Sequence, residues 1–460
     1  MATPSRMTQA NAQAAAAERH PKGLYVLFAT EMWERFSFYS MLALFTLYLQ
    51  NAAEGFAWTS AQATTLYSNY LMFVYFSPLI GGWLADRKLG YRRSVMIGGF
   101  FFMAGHLLLS FRSLPVVYLA LTCLVIGNGF FKPNVSTMVG NLYPDGSHLK
   151  DRAYNIFYMG INIGAFLAPI VAEAVRSEFG FHPAFAVAAG GMVISVSILW
   201  LFKRHVEEPN RHGAAPSPTH AAASARAQVM DEVPESKRIW ALIVVFLVVI
   251  VFWMVFHQNG STLTYWANDN TDWTASKVLP FIVGIVTFGT VSGDEMSGVI
   301  SNAINPFWIV TLTFPLVWFW RQLDRRGREP STPTKIAIGM FLTAVSFYIL
   351  YFAAKAGGDG GRVSPWWLIG AYFVISLGEL MLSPMGLSLV SKVAPLRLRG
   401  VMMGGWFAAT AIGNKLTMIG VYWDRWLHSS FFAVLGTCAL VMAVVLLFLL
   451  RPLKKAMPGV

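Results

Sequence analysis

Glu31, Glu34 and Arg35 lie in the decapeptide EMWERFSFYS (31–40), inside a stretch that otherwise reads as a bilayer-spanning helix. Their i, i+3, i+4 spacing puts all three on one helical face, which Tyr39, four residues past Arg35, extends. A carboxylate beside a cation in a hydrated cavity changes protonation as its partner moves, because losing the cation removes the stabilisation of the negative charge. Such a trio is a proton-coupling device. Other polar groups lie deep in apolar stretches: Lys132 just before a helix-bending Pro133, Glu379, and His257 after FWMVF, with Asn162, Gln258, Ser261 and Asn305. A charged Asp, Lys or Arg at the centre of a membrane helix costs about 2.5–3.5 kcal/mol, so such residues face a partner or a wet cavity. Helix-locking ion pairs would account for Glu34 and Arg35 equally well. Polar groups on at least six spans, drawn from both ends of the chain, favour one shared cavity.

The elements that must position them are membrane helices. Of 460 residues 55% are hydrophobic and 13% charged, with a mean hydropathy of +0.52, against about 25% charged in soluble domains. Twelve apolar segments approach the roughly 20 residues that a bilayer core demands. Basic residues alternate cleanly between connections. One set carries Arg87, Lys88, Arg92 and Arg93; Lys150 and Arg152; Lys203, Arg204, Lys237 and Arg238; Arg321 to Lys335; and Lys392, Arg397 and Arg399. The alternate set is nearly free of them, which predicts both termini on the cytoplasmic side. The net charge of +12 is thus a topology signal, and nucleic-acid binding is rejected. The first 22 residues have no apolar signal core and read as a cytoplasmic tail. Cys123 and Cys438 form neither a metal-ligand spacing nor a disulfide framework.

The expected fold class is an all-α membrane protein of twelve transmembrane helices in two six-helix halves. Residues 1–22 form the amino-terminal tail, 23–203 the first bundle, 204–238 a polar Ala- and Pro-rich cytoplasmic linker, 239–451 the second bundle and 452–460 the carboxyl-terminal tail. Residues 267–302 are an external loop, whose apolar piece 278–291 is too short to span and suits a re-entrant or interfacial position. The halves look related. GNGFFKP (127–133) on the fourth span matches GELMLSP (378–384) on the tenth, MGIN (159–162) matches MGGW (403–406), and LADR (84–87) echoes QLDR (322–325). Duplicated halves with a site between them are a transporter architecture. In GGWLADRKLGYRR (81–93), Asp86 can cap or pair with Arg87, Arg92 or Arg93, making a gate latch. The sequence carries no clustered catalytic His, Asp or Cys, phosphate loop or metal set, so an enzyme or an ATP-driven pump is disfavoured.

These stretches resemble a known family. GGWLADRKLGYRR is similar to the loop signature of the major facilitator superfamily, and EMWERFSFYS to the ExxERF(S/x)YY signature of proton-dependent oligopeptide transporters. Further similarities follow in family order, among them FYMGINIGAFLAP (157–169), FWMVFHQNGSTL (252–263), GELMLSPMGLSLVSKVAP (378–395) and MMGGWFAATAIGN (402–414). The resemblance implies proton-driven uptake of di- and tripeptides across a bacterial inner membrane. By it, Glu31 and Glu34 serve proton coupling with Lys132 as their cation. Arg35 and Lys132 meet the peptide carboxylate; Glu379, helped by Asn162 and Asn305, meets the amino terminus. Tyr39, Tyr75, Ser383 and Trp406 line side-chain pockets. The expected partners are small peptides, protons and the lipid bilayer, with no cofactor and no obligate protein partner.

The chain departs from the family pattern at three places. Phe38 replaces the first Tyr of the signature, Leu42 stands where Arg is frequent, and His257 stands where the seventh span usually has a carboxylate. The last two are usually partners, so their joint loss leaves no charge unpaired. A histidine titrates near neutrality, which makes His257 a candidate for proton coupling; a neutral hydrogen-bonding role accounts for it equally well. The same departures keep an alternative open, a proton-coupled carrier of a non-peptide solute such as nitrate.

Overall fold

A computed structural model describes residues 20–143, 149–206, 233–287, 289–291, 296–382, 389–390, 393–395 and 398–458. Twelve helices of 18 to 31 residues are found among them. In the first half these are α1 (Lys22–Gln50), α2 (Ser60–Leu84), α3 (Tyr91–Leu108), α4 (Leu114–Asn141), α5 (Leu149–Phe179) and α6 (Phe181–Leu201). The second half has α7 (Glu235–Phe256), α8 (Ile304–Arg325), α9 (Thr332–Ala356), α10 (Pro365–Leu382), α11 (Arg399–Leu416) and α12 (His428–Ala456). Eight of them, with their short extensions, are long and apolar enough to cross a membrane by composition alone. The other four are α1, α2, α3 and α11. Three of these have an evident place: α1 carries the charged trio, and α2 and α11 pack on each other between the halves.

The packing repeats. Helix α3 packs on α4 and α6, α1 on α5 and α6, and α2 on α4; α9 packs on α10 and α12, α7 on α11 and α12, and α8 on α10. Every second-half pair is a first-half pair six helices on. The contacts between halves, α2 with α11 and α5 with α8, are also each other's counterparts. The glycines that open the two matched motifs explain part of this. A Cβ on Gly98 of α3 would come within 2.7 Å of the Gly127 carbonyl on α4, and one on Gly339 of α9 within 2.8 Å of the Gly378 carbonyl on α10. Lipid gives helices no hydrophobic reason to associate, so close backbone approach through small residues supplies the contact.

The connections differ from the expected segment ends. Helix α7 ends at Phe256, from which a 3-10 turn, His257–Gly260, leads into a short helix Thr262–Asp269. The segment Gly298–Ala303 is a largely buried 3-10 turn leading into α8, so the external loop is shorter than 267–302. Within it Val278–Val286 is a short helix with Phe281, Ile282 and Ile285 exposed, as an interfacial piece requires. Helices α7 and α12 extend past the expected bundle limits, to Glu235 and Ala456. Residues 1–19 of the tail and 207–232 of the linker lie outside the described residues. In the α9–α10 connection Asp359 accepts the Ser429 N–H (2.7 Å) and a bond from Lys355 (3.2 Å), tying the start of α12 down. Desolvation works against its charge, but the bonds from Ser429 and Lys355 hold its carboxyl below the usual range.

The glycine contacts make a testable claim. Gly98→Ala and Gly339→Ala should each destabilise the protein by about 1–3 kcal/mol through overpacking, read as a lower thermal midpoint in detergent. An unchanged midpoint in both would show that the helices do not meet through these glycines.

Candidate functional site

Helix α1 is held from both sides. A Cβ on Gly164 of α5 would lie 2.2 Å from the Met32 carbonyl and 3.2 Å from Arg35 Cβ. Ser195 of α6 donates to the Thr30 carbonyl (2.7 Å) and Ser40 to that of Ala168 on α5 (3.3 Å). The charged trio is therefore presented by a fixed helix. Arg35 forks onto Glu34, its Nη2 donating to Oε1 at 2.7 Å and its Nε to Oε2, and its Nε is 3.2 Å from Glu31 Oε1. Bidentate geometry of this kind is the strong form of the guanidinium–carboxylate pair. All three are almost fully buried. Glu31 Oε2 has no hydrogen-bond partner among the described residues, so one carboxylate oxygen is available there for a proton or a ligand. The Arg35 guanidinium also lies 5.1 Å from the centroid of the Phe38 ring. The aromatic face thus persists where the family's hydroxyl is missing.

Lys132 is aimed by the residues before it. Gly127 seats α4 on α3, the Asn128 amide donates to the Val74 carbonyl of α2 (2.6 Å), and Gly129 backs onto Ser77 of α2. One turn later Lys132 Nζ stands 4.5 Å from the centroid of the Tyr75 ring. It lies within electrostatic reach of Glu31, Glu34 and Arg35, though no carboxylate among the described residues comes within ion-pair distance of it. Tyr75 in turn meets the ring of His257 at 5.6 Å. His257 is buried on the 3-10 turn after α7, stacks on Trp253 (4.8 Å, 19°) and hydrogen-bonds the side-chain oxygen of Asn414 on α11. No acid takes the place of the usual seventh-span carboxylate among these contacts, and Leu42 is buried in the first-half core.

Opposite stands Glu379 on α10, half-buried, its Oε2 accepting from the amide of Asn305 (3.0 Å); the same amide donates to Ser376 (2.9 Å). Tyr39 and Tyr75 each lie within electrostatic reach of both Arg35 and Glu379. Tyr158 of α5, which sequence reasoning missed, lies within reach of Glu379 and Tyr39. Asn162 donates to the Tyr158 carbonyl of its own helix (2.8 Å) and, with Tyr158, lines a cleft of about 230 Å³ between α5 and α8. Trp406 is buried on α11 beside Phe246 of α7. Ser383 lies outside the described residues. Arg35 and Lys132 thus stand on first-half helices, and Glu379 stands on the second half.

The two ends of the crevice differ. At the end away from the basic loops, Thr46 donates to the Gly260 carbonyl (3.1 Å), Thr64 bonds Tyr265 (3.1 Å) and Ser60 bonds Asp424. Glu173 of α5, fully buried, accepts the N–H (2.6 Å) and hydroxyl (2.8 Å) of Ser297 from the other half while Arg176 pairs with it (2.8 Å). Glu173 was missed because it sits close to a span end, where a charge passes for an interfacial one. The α5–α8 cleft lies toward the basic-loop end. There the expected latch takes another form: Asp86, in a π-helical turn Ala85–Leu89, accepts from the Tyr91 hydroxyl (2.6 Å), and Arg87 lies 5.2 Å from the Trp83 ring centroid.

A family model described as the POT family matches residues 92–229 and 217–423. The chain is 31% identical to the uncharacterized transporter YclF of Bacillus subtilis (strain 168), over 96% of each protein. It is 30% identical to a di-/tripeptide transporter of Lactococcus lactis subsp. lactis (strain IL1403), over 96% of this chain and 97% of that one. A crystal structure of a variant of the peptide transporter POT in complex with alafosfalin superposes with a TM-score of 0.82 at 30% identity, covering 97% of this chain and 99% of that one.

The buried trio carries a stability prediction. Arg35→Met leaves two buried carboxylates without their cation and should cost about 3–5 kcal/mol, whereas Glu31→Gln removes only the outer partner and should cost clearly less. Thermal unfolding of the two variants in detergent checks the order. Equal losses would mean that Arg35 does not serve both acids.

Proposed function

The chain belongs to the POT family, and on that premise we infer that it is a proton-coupled symporter that imports di- and tripeptides by alternating access. The observation that carries this reading is the division of charge: Arg35 and Lys132 on the first half, Glu379 on the second, with Tyr39 and Tyr75 in reach of both signs. A peptide is a zwitterion. Its carboxylate suits the cationic wall, in which Arg35 and Lys132 take part, and its amino terminus suits Glu379, which Asn305 holds in place. Bound across the crevice, it draws the halves together. Asn162, Tyr39, Tyr75, Trp406 and Ser383 would contact its backbone and side chains. The alternative of a non-peptide solute such as nitrate finds no support among these relatives.

Proton coupling rests on Glu31, Glu34 and Lys132. A carboxylate that takes a proton releases Arg35 or Lys132 to the peptide, and one that loses it recaptures the cation. His257 takes part through its ring, which Tyr75 connects to Lys132. Asp86 and Arg87 act at the basic-loop end, where Tyr91 holds Asp86 in place. By the positive-inside rule that end and both termini would face the cytoplasm, with the protein in a bacterial inner membrane. No cofactor beyond the proton and no protein partner is required.

Purified protein in liposomes under an imposed pH gradient tests the reading. Labelled dipeptide should accumulate, unlabelled di- and tripeptides should compete, and nitrate should not; competition by nitrate alone would overturn it. Lys132→Met should lower gradient-driven uptake by about tenfold or more, in keeping with a lost charge-assisted contact. His257→Gln can still bond Asn414 but cannot carry a proton, so it should shift the pH profile of uptake. An unchanged profile would remove His257 from coupling.

A further inference from the structure

Lys415 is an ammonium within the membrane that the transport reading does not use. It lies near the end of α11, half-buried, between Ile412 and Leu416, which are 49% and 44% exposed and mark the lipid-facing stripe. Its Nζ donates to Asn69 Oδ1 on α2 and sits 3.5 Å from Met418 Sδ. Among the described residues no carboxylate comes within ion-pair distance of it. Asn69 itself lies on the lipid-facing stripe of α2, with Gln62 exposed above it and Phe73 (52% exposed) and Phe76 (45%) below. The stripe is thus polar over its first two and a half turns and aromatic thereafter. A groove of about 500 Å³ opens beside the polar part, lined by Gln62, Thr65, Leu66 and Asn69 of α2 among others, with Trp58, Tyr118 and Val421; Lys415 is not on its wall and meets it through Asn69.

We propose that this groove, beside α2 and next to the Asn69–Lys415 contact with α11, binds the headgroup of an anionic phospholipid from the leaflet opposite the basic loops. The phosphate answers the unmatched charge of Lys415. A long Lys side chain reaches along the helix toward the interface while its stem stays in the apolar region. Asn69 lies nine residues into α2, about 13 Å from its start, so the headgroup settles into the groove to meet the ammonium. Amide donors stand ready on the wall: Asn69 gives its oxygen to Lys415 and keeps its NH2, and Gln62 gives its oxygen to the Thr59 N–H and keeps its own. The acyl chains then run over Phe73 and Phe76. Trp58 and Tyr118 are the amphipathic rings that mark an interface.

Because Lys415 and Asn69 belong to different halves, a lipid bound to both favours the arrangement in which this end is closed. The adjacent residue, Asn414, holds His257, so the same turn of α11 joins the lipid groove to the crevice. The proposal stands independently of which solute is carried, since lipid retention is read without transport.

The test is native mass spectrometry of the purified full chain titrated with phosphatidylglycerol or phosphatidylcholine. The wild type should keep one more phosphatidylglycerol than Lys415→Gln, and Lys415→Arg should restore it. Gln62→Leu, which leaves the seam intact, should lower retention at least threefold and serves if the Lys415 variant does not fold. Millimolar inorganic phosphate should not displace the lipid. Equal retention by the wild type and the Lys415→Gln or Gln62→Leu variant, or displacement by phosphate alone, would overturn the assignment.

Discussion

Everything in this molecule is arranged around three charges that have left water. Arg35, Glu31 and Glu34 are almost completely buried on α1, and removing charges from water costs several kcal/mol per ion even after relaxation. Their mutual contacts offset part of that cost, but there are two acids to one guanidinium, so the trio is net negative whenever both acids are ionised. Lys132 supplies the compensating positive charge from α4, close enough to be felt and too far for direct pairing. The four groups balance only as a set. On the proposed function, a set so poised would respond to the arrival of a proton or of a peptide's carboxylate, because either would change which acid the cations serve.

Holding that balance requires stiff walls with movable seams. The walls are built by close backbone contact, with Gly164 letting α5 lie on α1 and Gly127 and Gly129 seating α4 so that Lys132 is aimed inward. The seams are built differently. Among the described residues the side-chain bonds between halves are made by hydroxyls, amides, carboxylates and one ammonium, such as Thr64 with Tyr265, Glu173 with Ser297 and Lys415 with Asn69. Hydrogen bonds of this kind contribute about 1 kcal/mol each, small enough for one set to be exchanged for another. Stiff bundles and weak seams are what rocking about a fixed site demands.

Much of this was legible in the residues. The alternation of basic loops marked the helix order, because charge placement in membrane proteins is set by topology rather than by packing. The match of GNGFFKP with GELMLSP was legible for the same reason that it is structural: Gly127 and Gly378 fill equivalent contacts. The trio announced itself because a charge in a long apolar run is too costly to persist without a use. Pairing was not legible. Among the described residues Asp86, in the π-helical turn at 85–89, meets the Tyr91 hydroxyl, and no residue pattern in the loop encodes that turn. Asn414 as the partner of His257 depends on how α11 lies against α7, which is a tertiary fact. Glu173 and Lys415 carried the same signal as the trio, an ionisable residue in an apolar run, but their position near span ends disguised it.

His257 and Leu42 stand where the resemblance to proton-dependent oligopeptide transporters implies an acid and a cation, which bears on how the halves communicate. A carboxylate at that place would be tied to the cation whose position Leu42 now fills, a bond between halves made of opposite charges. Here the link is a column of rings and one ammonium: Lys132 on the face of Tyr75, Tyr75 beside His257, His257 on Trp253. A cation on an aromatic face is worth about 0.5–2 kcal/mol, less than a buried ion pair broken on one side. Such a link is neutral apart from Lys132. On the proposed function, movement of that single charge, toward the acids of α1 or toward the ring of Tyr75, would change the contacts at both ends of the column and so couple the halves.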